Sequence, residues 1–162
     1  MIVVSDTSPI SNLILIQRLD ILNELYEEII VPPAVDNEIR ALEGLGKNIH
    51  EYLAASWIKI LTPSDLIKVA DLQNRLDQGE AQAITLALEL KCGLLLMDER
   101  IGTKIAREEG LITIGLVGVL VKAKHSGVIE TVAPLLDDLR TKAGFWLGSE
   151  LESAVLTQVN EA

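Results

Sequence analysis

Short, mostly apolar runs recur along this chain, and longer stretches separate them. The runs lie at 2–4, 29–31, 57–60, 94–97 and 111–114. Runs of this length and composition are typical of strands buried on both faces of a parallel sheet, although Lys59 marks the third as a strand near a sheet edge. Strands that alternate with helices form a parallel sheet covered by helices. The sequence therefore predicts an α/β fold.

Helical segments are predicted between these strands. Ser8 and Pro9 form a suitable N-cap and first residue for the first helix, and Pro32–Pro33 open the second. A chain of 162 residues can bury one core, and no repeat or long linker divides it. We predict one domain over 1–162, with a C-terminal helical extension from about 128 to 162 packed on it. The predicted helices are 9–16, 32–43, 47–55, 64–73, 78–90, 100–108, 116–124, 130–142 and 148–160.

Composition favours a cytoplasmic protein. No apolar run approaches the roughly 20 residues that a membrane span needs. The N-terminus has no basic region or cleavage-site pattern of a secretory signal. The one cysteine, Cys92, cannot form an internal disulfide and reads as a buried, inert thiol in a reducing compartment.

The net charge of −10 limits how the chain could bind nucleic acid. Binding by phosphate neutralisation alone normally requires a basic protein. The charge leaves three explanations: the chain binds no nucleic acid, it works through cations held by its carboxylates, or a basic partner covers it. Composition does not choose among them.

Acidic residues follow two of the predicted strands at equivalent points. Asp6 comes just after the first strand and Asp98 just after the fourth. In an open parallel sheet the carboxyl ends of the strands face one side, where ligands bind. If these strands are neighbours, the two carboxylates converge and either share a proton or hold a cation. The alternative is that each aspartate caps the helix that follows it.

Three further acids are candidates for the same site. Glu38 projects at the edge of the buried stripe of its helix, where an acid is either liganded or a rim residue that reaches water. Asp77 and Glu80 have the spacing of a capping box, and Gly79 between them allows close approach to the backbone. Glu99 is either a supporting partner of Asp98 or a favourable charge in a helix first turn.

Basic residues follow the second aspartate at helical spacing. Arg100, Lys104 and Arg107 fall at i, i+4 and i+7, and they form one face that either contacts phosphate or is merely solvated. Ser8, beside Asp6, is a further candidate substrate contact. His50 and His125 lack metal-ligand spacing, and no P-loop, dinucleotide fingerprint or nucleophilic triad is present.

Four motifs follow one another along the chain: Asp6-Thr7-Ser8, Val31-Pro32-Pro33 leading to Glu38, Gly79-Glu80-Ala81, and Leu96-Met97-Asp98-Glu99. After them come an Ala-Arg helix at 105–110, a glycine-containing step at 115–120 and a Lys-Ala-Lys segment at 121–124. Together these motifs resemble the PIN-domain family, in particular a prokaryotic toxin-like branch described as nucleic-acid-binding. The likeness covers about residues 1–150.

The resemblance implies a five-stranded parallel sheet in the order 3-2-1-4-5, with helices on both faces. It implies a ribonuclease dependent on Mg²⁺ or Mn²⁺ and, for many relatives, a toxin that pairs with an antitoxin protein. We expect Asp6 and Asp98 as the closest metal ligands. Glu38 and Glu80, with Glu99 as a further candidate, would hold the waters of the ion or a second ion. RNA is the expected substrate.

Two positions depart from the family pattern. The family often has aspartate where this chain has Glu99, and many relatives have threonine or serine where it has Leu116. A second reading is therefore a PIN-like module that only binds RNA or protein. A third is a metal-dependent phosphohydrolase of small esters. The tail helices either pack on the core of the same chain or, because Phe145 and Trp146 concentrate aromatic side chains there, form a homodimer or antitoxin contact.

Overall fold

Five short strands form one parallel sheet in the order β3-β2-β1-β4-β5 in the computed structural model, which describes all 162 residues. The predicted sheet and strand order are confirmed, and the third strand is an edge strand as expected. The strands are β1 Val3–Ser5, β2 Ile29–Val31, β3 Ile58–Ile60, β4 Leu94–Leu96 and β5 Thr113–Ile114.

Ten α-helices connect and cover the strands. A 3₁₀ turn at Ala41–Leu45 prolongs α3 and ends at Gly46, whose φ of 78° lies in the left-handed region. The helices are α1 Thr7–Leu15, α2 Asp20–Tyr26, α3 Pro33–Arg40, α4 His50–Leu53, α5 Leu66–Leu72, α6 Gln78–Glu89, α7 Arg100–Glu108, α8 Leu116–His125, α9 Ala133–Lys142 and α10 Ser149–Gln158.

Alternating strand residues serve two separate cores, one on each face of the sheet. Val3 packs in a cluster of 28 buried residues with helices that include α1, α3, α8 and α9. Its neighbour Val4 packs in a cluster of 13 with α5, α6 and α7. Because successive side chains point to opposite faces, strands between two helical layers must be apolar throughout.

Three sequence predictions of local structure need correction. Helix α2 was not predicted, because Leu19 at its N-cap makes no side-chain capping bond and gives no start signal. Helix α1 begins at Thr7 with Asp6 as its N-cap, so Ser8 and Pro9 lie inside its first turn. Proline fits there because the first amides of a helix have no intrahelical partner. The segment predicted at 47–55 is helical only over α4.

The two C-terminal helices contribute to the larger core. Leu136 and Leu139 of α9 and Val155 of α10 are buried there, whereas Leu151 is 54% exposed. Trp146, in the connection between these helices, is 84% exposed. Phe145 is partly buried against the larger core, and the dimer or antitoxin contact proposed for Phe145 and Trp146 stays a prediction.

Glu161 joins the end of the chain to two other helices. Its Oε2 accepts hydrogen bonds from Lys124 Nζ and the Val132 amide, each at 2.8 Å, and Oε1 accepts one from the Ala133 amide at 2.9 Å. Partial burial would raise the pKa of Glu161, but these bonds outweigh it and lower the pKa to about 2.

We expect Glu161→Gln to lower the melting temperature, because a charged hydrogen bond contributes about 1.5–3 kcal/mol. A folded pKa of about 2, below the ordinary 4.5, means that this stabilisation is present above pH 4.5 and lost as the pH falls towards 2. Thermal unfolding of wild type and variant should therefore converge in acid. Glu150→Gln, on the exposed first turn of α10, is the control. A difference that persists unchanged at pH 2 would contradict the assignment.

Candidate metal centre

Six carboxylates line one open cleft of about 410 Å³ at the carboxyl edge of the sheet. Three hydroxyl side chains, those of Thr7, Ser8 and Ser11, complete its lining, and no apolar residue takes part. All five predicted acids are brought together here, and Asp77 is the sixth. The acids are Asp6, Glu38, Asp77, Glu80, Asp98 and Glu99.

Asp6 lies at the bottom of this cleft and is only 5% exposed. Its amide donates to Leu96 O at 2.9 Å, which continues the pairing of β1 with β4. Although it occupies the N-cap of α1, its side chain makes no capping hydrogen bond. Burial raises its pKa to about 7; the Thr7 amide opposes the shift, and nearby acids including Asp77 add to it. The capping alternative therefore does not explain Asp6.

Asp98 follows β4, the neighbour of β1, so the predicted convergence of the two aspartates is explained by strand order. Its two carboxylate oxygens each lie 3.1 Å from the Leu116 amide at the start of α8. Gly115 allows this approach, because a Cβ there would collide with the Asp98 carboxylate. Burial raises the pKa of Asp98 and the Leu116 amide opposes it. Asp98 thus lies at the start of α8 and does not cap α7, the helix that follows it.

Glu38 reaches the cleft from α3. Its Oε2 accepts a hydrogen bond from Thr7 Oγ1 at 2.5 Å, and its carboxylate lies against Gly79 at the start of α6. The residue is exposed, as the rim alternative expected. It is nevertheless held by a side chain 31 positions away in the sequence. Thr7 was not predicted as a site residue; its place beside Asp6 in the Asp-Thr-Ser motif was the available signal.

Glu80 and Asp77 form the predicted capping box. Asp77 Oδ1 accepts from the Glu80 amide at 2.8 Å, and Glu80 Oε2 accepts from the Asp77 amide at 3.3 Å. Burial raises the pKa of Glu80 to about 7, with the charge of Asp77 as the next cause and smaller effects from Glu99 and Asp6. Both acids of the capping box therefore also line the cleft, so a capping role and a ligand role are compatible.

Glu99 is the N-cap of α7. Its Oε1 accepts from the Ile101 amide at 3.0 Å, and its Oε2 accepts from the Gly102 amide. Glu99 therefore caps α7 from the position just before its first turn, whereas the alternative reading placed its charge within that turn. Each carboxylate oxygen has two lone pairs, so these bonds leave one free on each oxygen.

The donors of the cleft suit a hard divalent cation. They are all oxygens, which Mg²⁺ and Mn²⁺ prefer. Burial, with a smaller effect of neighbouring acids, raises the pKa of Asp6 and Glu80, and a bound cation would favour the ionised form of both. No three of the acids converge closely enough to enclose an ion directly. A bound ion would therefore keep several of its waters between itself and the carboxylates, as Mg²⁺ usually does.

A second cleft, of about 620 Å³, runs along α7 and shares Asp98 with the first. Besides Asp98 it is lined by the predicted basic residues Arg100, Lys104 and Arg107 and by Thr103 and Glu108, so three positive charges face two negative ones. Neither Arg100 nor Lys104 forms an ion pair, and Arg107 Nε donates to Thr113 Oγ1 at 2.8 Å. Ser8 lies in the carboxylate cleft, where its Oγ accepts from Asn12 Nδ2 at 3.2 Å.

A family model described as a PIN domain matches residues 2–161. The chain belongs to the PIN-domain family. PIN domains are generally nucleases that depend on divalent metal ions, and they often pair with antitoxins. No curated protein matches this chain. None of the helices of this PIN domain is both long enough and apolar enough to cross a bilayer.

Asp6→Asn should stabilise the metal-free protein at neutral and higher pH. An acid whose pKa is raised from 3.8 to about 7 supports the fold at low pH, and this support is lost as the pH rises through 7. Asparagine cannot ionise, so the melting temperature of the variant should exceed that of wild type increasingly between pH 4 and 7. Asp71→Asn, at an exposed position on α5, should show no such trend. A difference in melting temperature that does not change with pH would contradict a buried Asp6 with a raised pKa.

Proposed function

We propose that this PIN domain is an endoribonuclease whose carboxylate cleft holds Mg²⁺ or Mn²⁺. The observation that carries the proposal is the convergence of six acids from four separate parts of the chain at the carboxyl edge of the sheet. Such a concentration of negative charge is unfavourable in an apoprotein unless a cation uses it. Family membership supports the same chemistry.

The side chains divide the work by their positions. Asp6 and Asp98, on neighbouring strands, are proposed as the ligands nearest the ion, and Glu38 and Glu80 as acceptors of its waters. Glu99 would add to the latter only through the lone pairs that its capping bonds leave free. When bound, the ion would stabilise charge on the phosphate and make water a stronger nucleophile at neutral pH.

Substrate binding is assigned to the basic cleft of α7. Arg100, Lys104 and Arg107 line a path that reaches the carboxylates at Asp98, so a phosphate chain on α7 would lead directly into the acidic cleft. Arg100 and Arg107 are about 10 Å apart along the helix axis, which offers charge to more than one phosphate. We also propose that the Ser8 hydroxyl donates to a substrate oxygen.

Asp6→Asn and Asp98→Asn should each reduce cleavage of RNA by at least about 100-fold, the scale for loss of an electrostatic stabiliser. The measurement is cleavage of an end-labelled RNA with Mn²⁺, with the melting temperature as a check of folding. Asp71→Asn is the matched control and should retain wild-type activity. Unchanged cleavage by Asp6→Asn would refute the proposal. Mn²⁺ binding by wild type without cleavage would favour an RNA- or protein-binding module, and turnover of a small phosphate ester alone a phosphohydrolase.

Lys104→Ala should weaken RNA binding about equally for all sequences and reduce the slope of log K against log salt by about 1, as for loss of one phosphate contact. Fluorescence anisotropy at several salt concentrations, in the Asp6→Asn background to prevent cleavage, measures both. Lys47→Ala removes an exposed lysine outside both clefts and is the control. An unaltered salt slope in Lys104→Ala would exclude α7 as the backbone contact.

A toxin role in a toxin–antitoxin pair and a cytoplasmic location remain parts of the proposal. The first predicts that expression arrests growth and that Asp6→Asn relieves the arrest. The second rests on the single cysteine, Cys92, which cannot form an internal disulfide. A partner would find Trp146 accessible on the C-terminal connection.

A further inference from the structure

Gly79 occupies the first turn of α6 with an ordinary right-handed backbone, so conformational freedom does not explain a glycine there. In a helix, glycine is less favourable than alanine by about 1 kcal/mol. The residue is buried, and its neighbours Asp77 and Glu80 already complete the capping box without it. Another property of the position must require the missing side chain.

The space that a side chain would take at Gly79 is filled by Glu38. A Cβ at Gly79 would lie 2.7 Å from Glu38 Oε1 and 3.4 Å from Oε2, and the three nearest atoms all belong to the Glu38 carboxylate. Oε2, the oxygen that lies farther from that Cβ position, accepts the hydrogen bond from Thr7 Oγ1. The Glu38 carboxylate thus lies between the Thr7 hydroxyl on α1 and the space that the missing side chain of Gly79 leaves on α6.

We propose that Gly79 is a positioning residue that places the Glu38 carboxylate in the cleft. Alanine at this position would keep α6 intact and displace Glu38, because the colliding atoms are the far end of a flexible side chain and not backbone. The hydrogen bond to Thr7 would be lost with that displacement. The effect on cation binding rests on the proposed function.

The test is a double-mutant cycle of Gly79→Ala and Glu38→Ala, with Mn²⁺ affinity measured by calorimetry. Each single variant should bind Mn²⁺ about 10-fold more weakly, the lower end for loss of a residue that supports metal ligands. The double variant should bind no more weakly than Glu38→Ala, because the methyl group then has nothing to displace. Gly44→Ala, where a Cβ would meet no atom within 4 Å, is the control.

Either of two results would overturn the inference. Gly79→Ala would bind Mn²⁺ as tightly as wild type, or the double variant would lose Mn²⁺ affinity by the product of the two single losses. A fall in melting temperature that Gly79→Ala causes equally in the wild-type and Glu38→Ala backgrounds would also overturn it, since α6 itself would then reject the methyl group and Glu38 would not be the cause. If wild type binds no Mn²⁺, the proposed function fails and nuclear Overhauser contacts between Glu38 and Thr7 decide the inference. Their disappearance in Gly79→Ala supports it, and their retention refutes it.

Discussion

The parallel direction of the five strands is the constraint on which the site depends. It brings the carboxyl ends of all strands to one edge, and the helices that follow them begin at that same edge. Helix N-termini carry partial positive charge and unpaired amides. Four of the acids lie at such an N-terminus: Asp6 at α1, Glu80 at α6, Glu99 at α7 and Asp98 at α8. Backbone dipoles therefore offset part of the repulsion among the acids.

The helix termini do not offset all of the unfavourable energy of ionising these acids, and the remainder is seen at Asp6 and Glu80. Burial is the main cause that raises the pKa of both Asp6 and Glu80 to about 7, and the negative charge of Asp77 adds to it at each. These two acids destabilise the metal-free fold at neutral pH, and the burial of the two apolar cores offsets this loss of stability. The net charge of −10 is compatible with RNA binding because basic residues are gathered on one helix beside the acids.

Much of this architecture could be predicted from residue patterns, because the evidence for it is local. Apolar runs identify strands between two helical layers, and Asp77 with Glu80 identifies the start of α6. Tertiary contacts could not be read in this way. Sequence spacing gives no reason to join Thr7 with Glu38, or Asp98 with the amide of Leu116. The sequence pattern also did not indicate Asp36, a buried acid two residues before Glu38. Its carboxylate accepts hydrogen bonds from Tyr52 and Arg40, away from the cleft.

The pairing of Val3 with Leu94 has a consequence for the order in which the protein is made. β1 can pair with β2 early in synthesis, but its second edge stays open until β4 leaves the ribosome, several seconds later at roughly 5–20 residues per second. Until then Asp6 has no neighbouring strand to supply Asp98. A growing chain therefore exposes a bare strand edge, and four of the six acids of the cleft are synthesised before Asp98 and Glu99 join them.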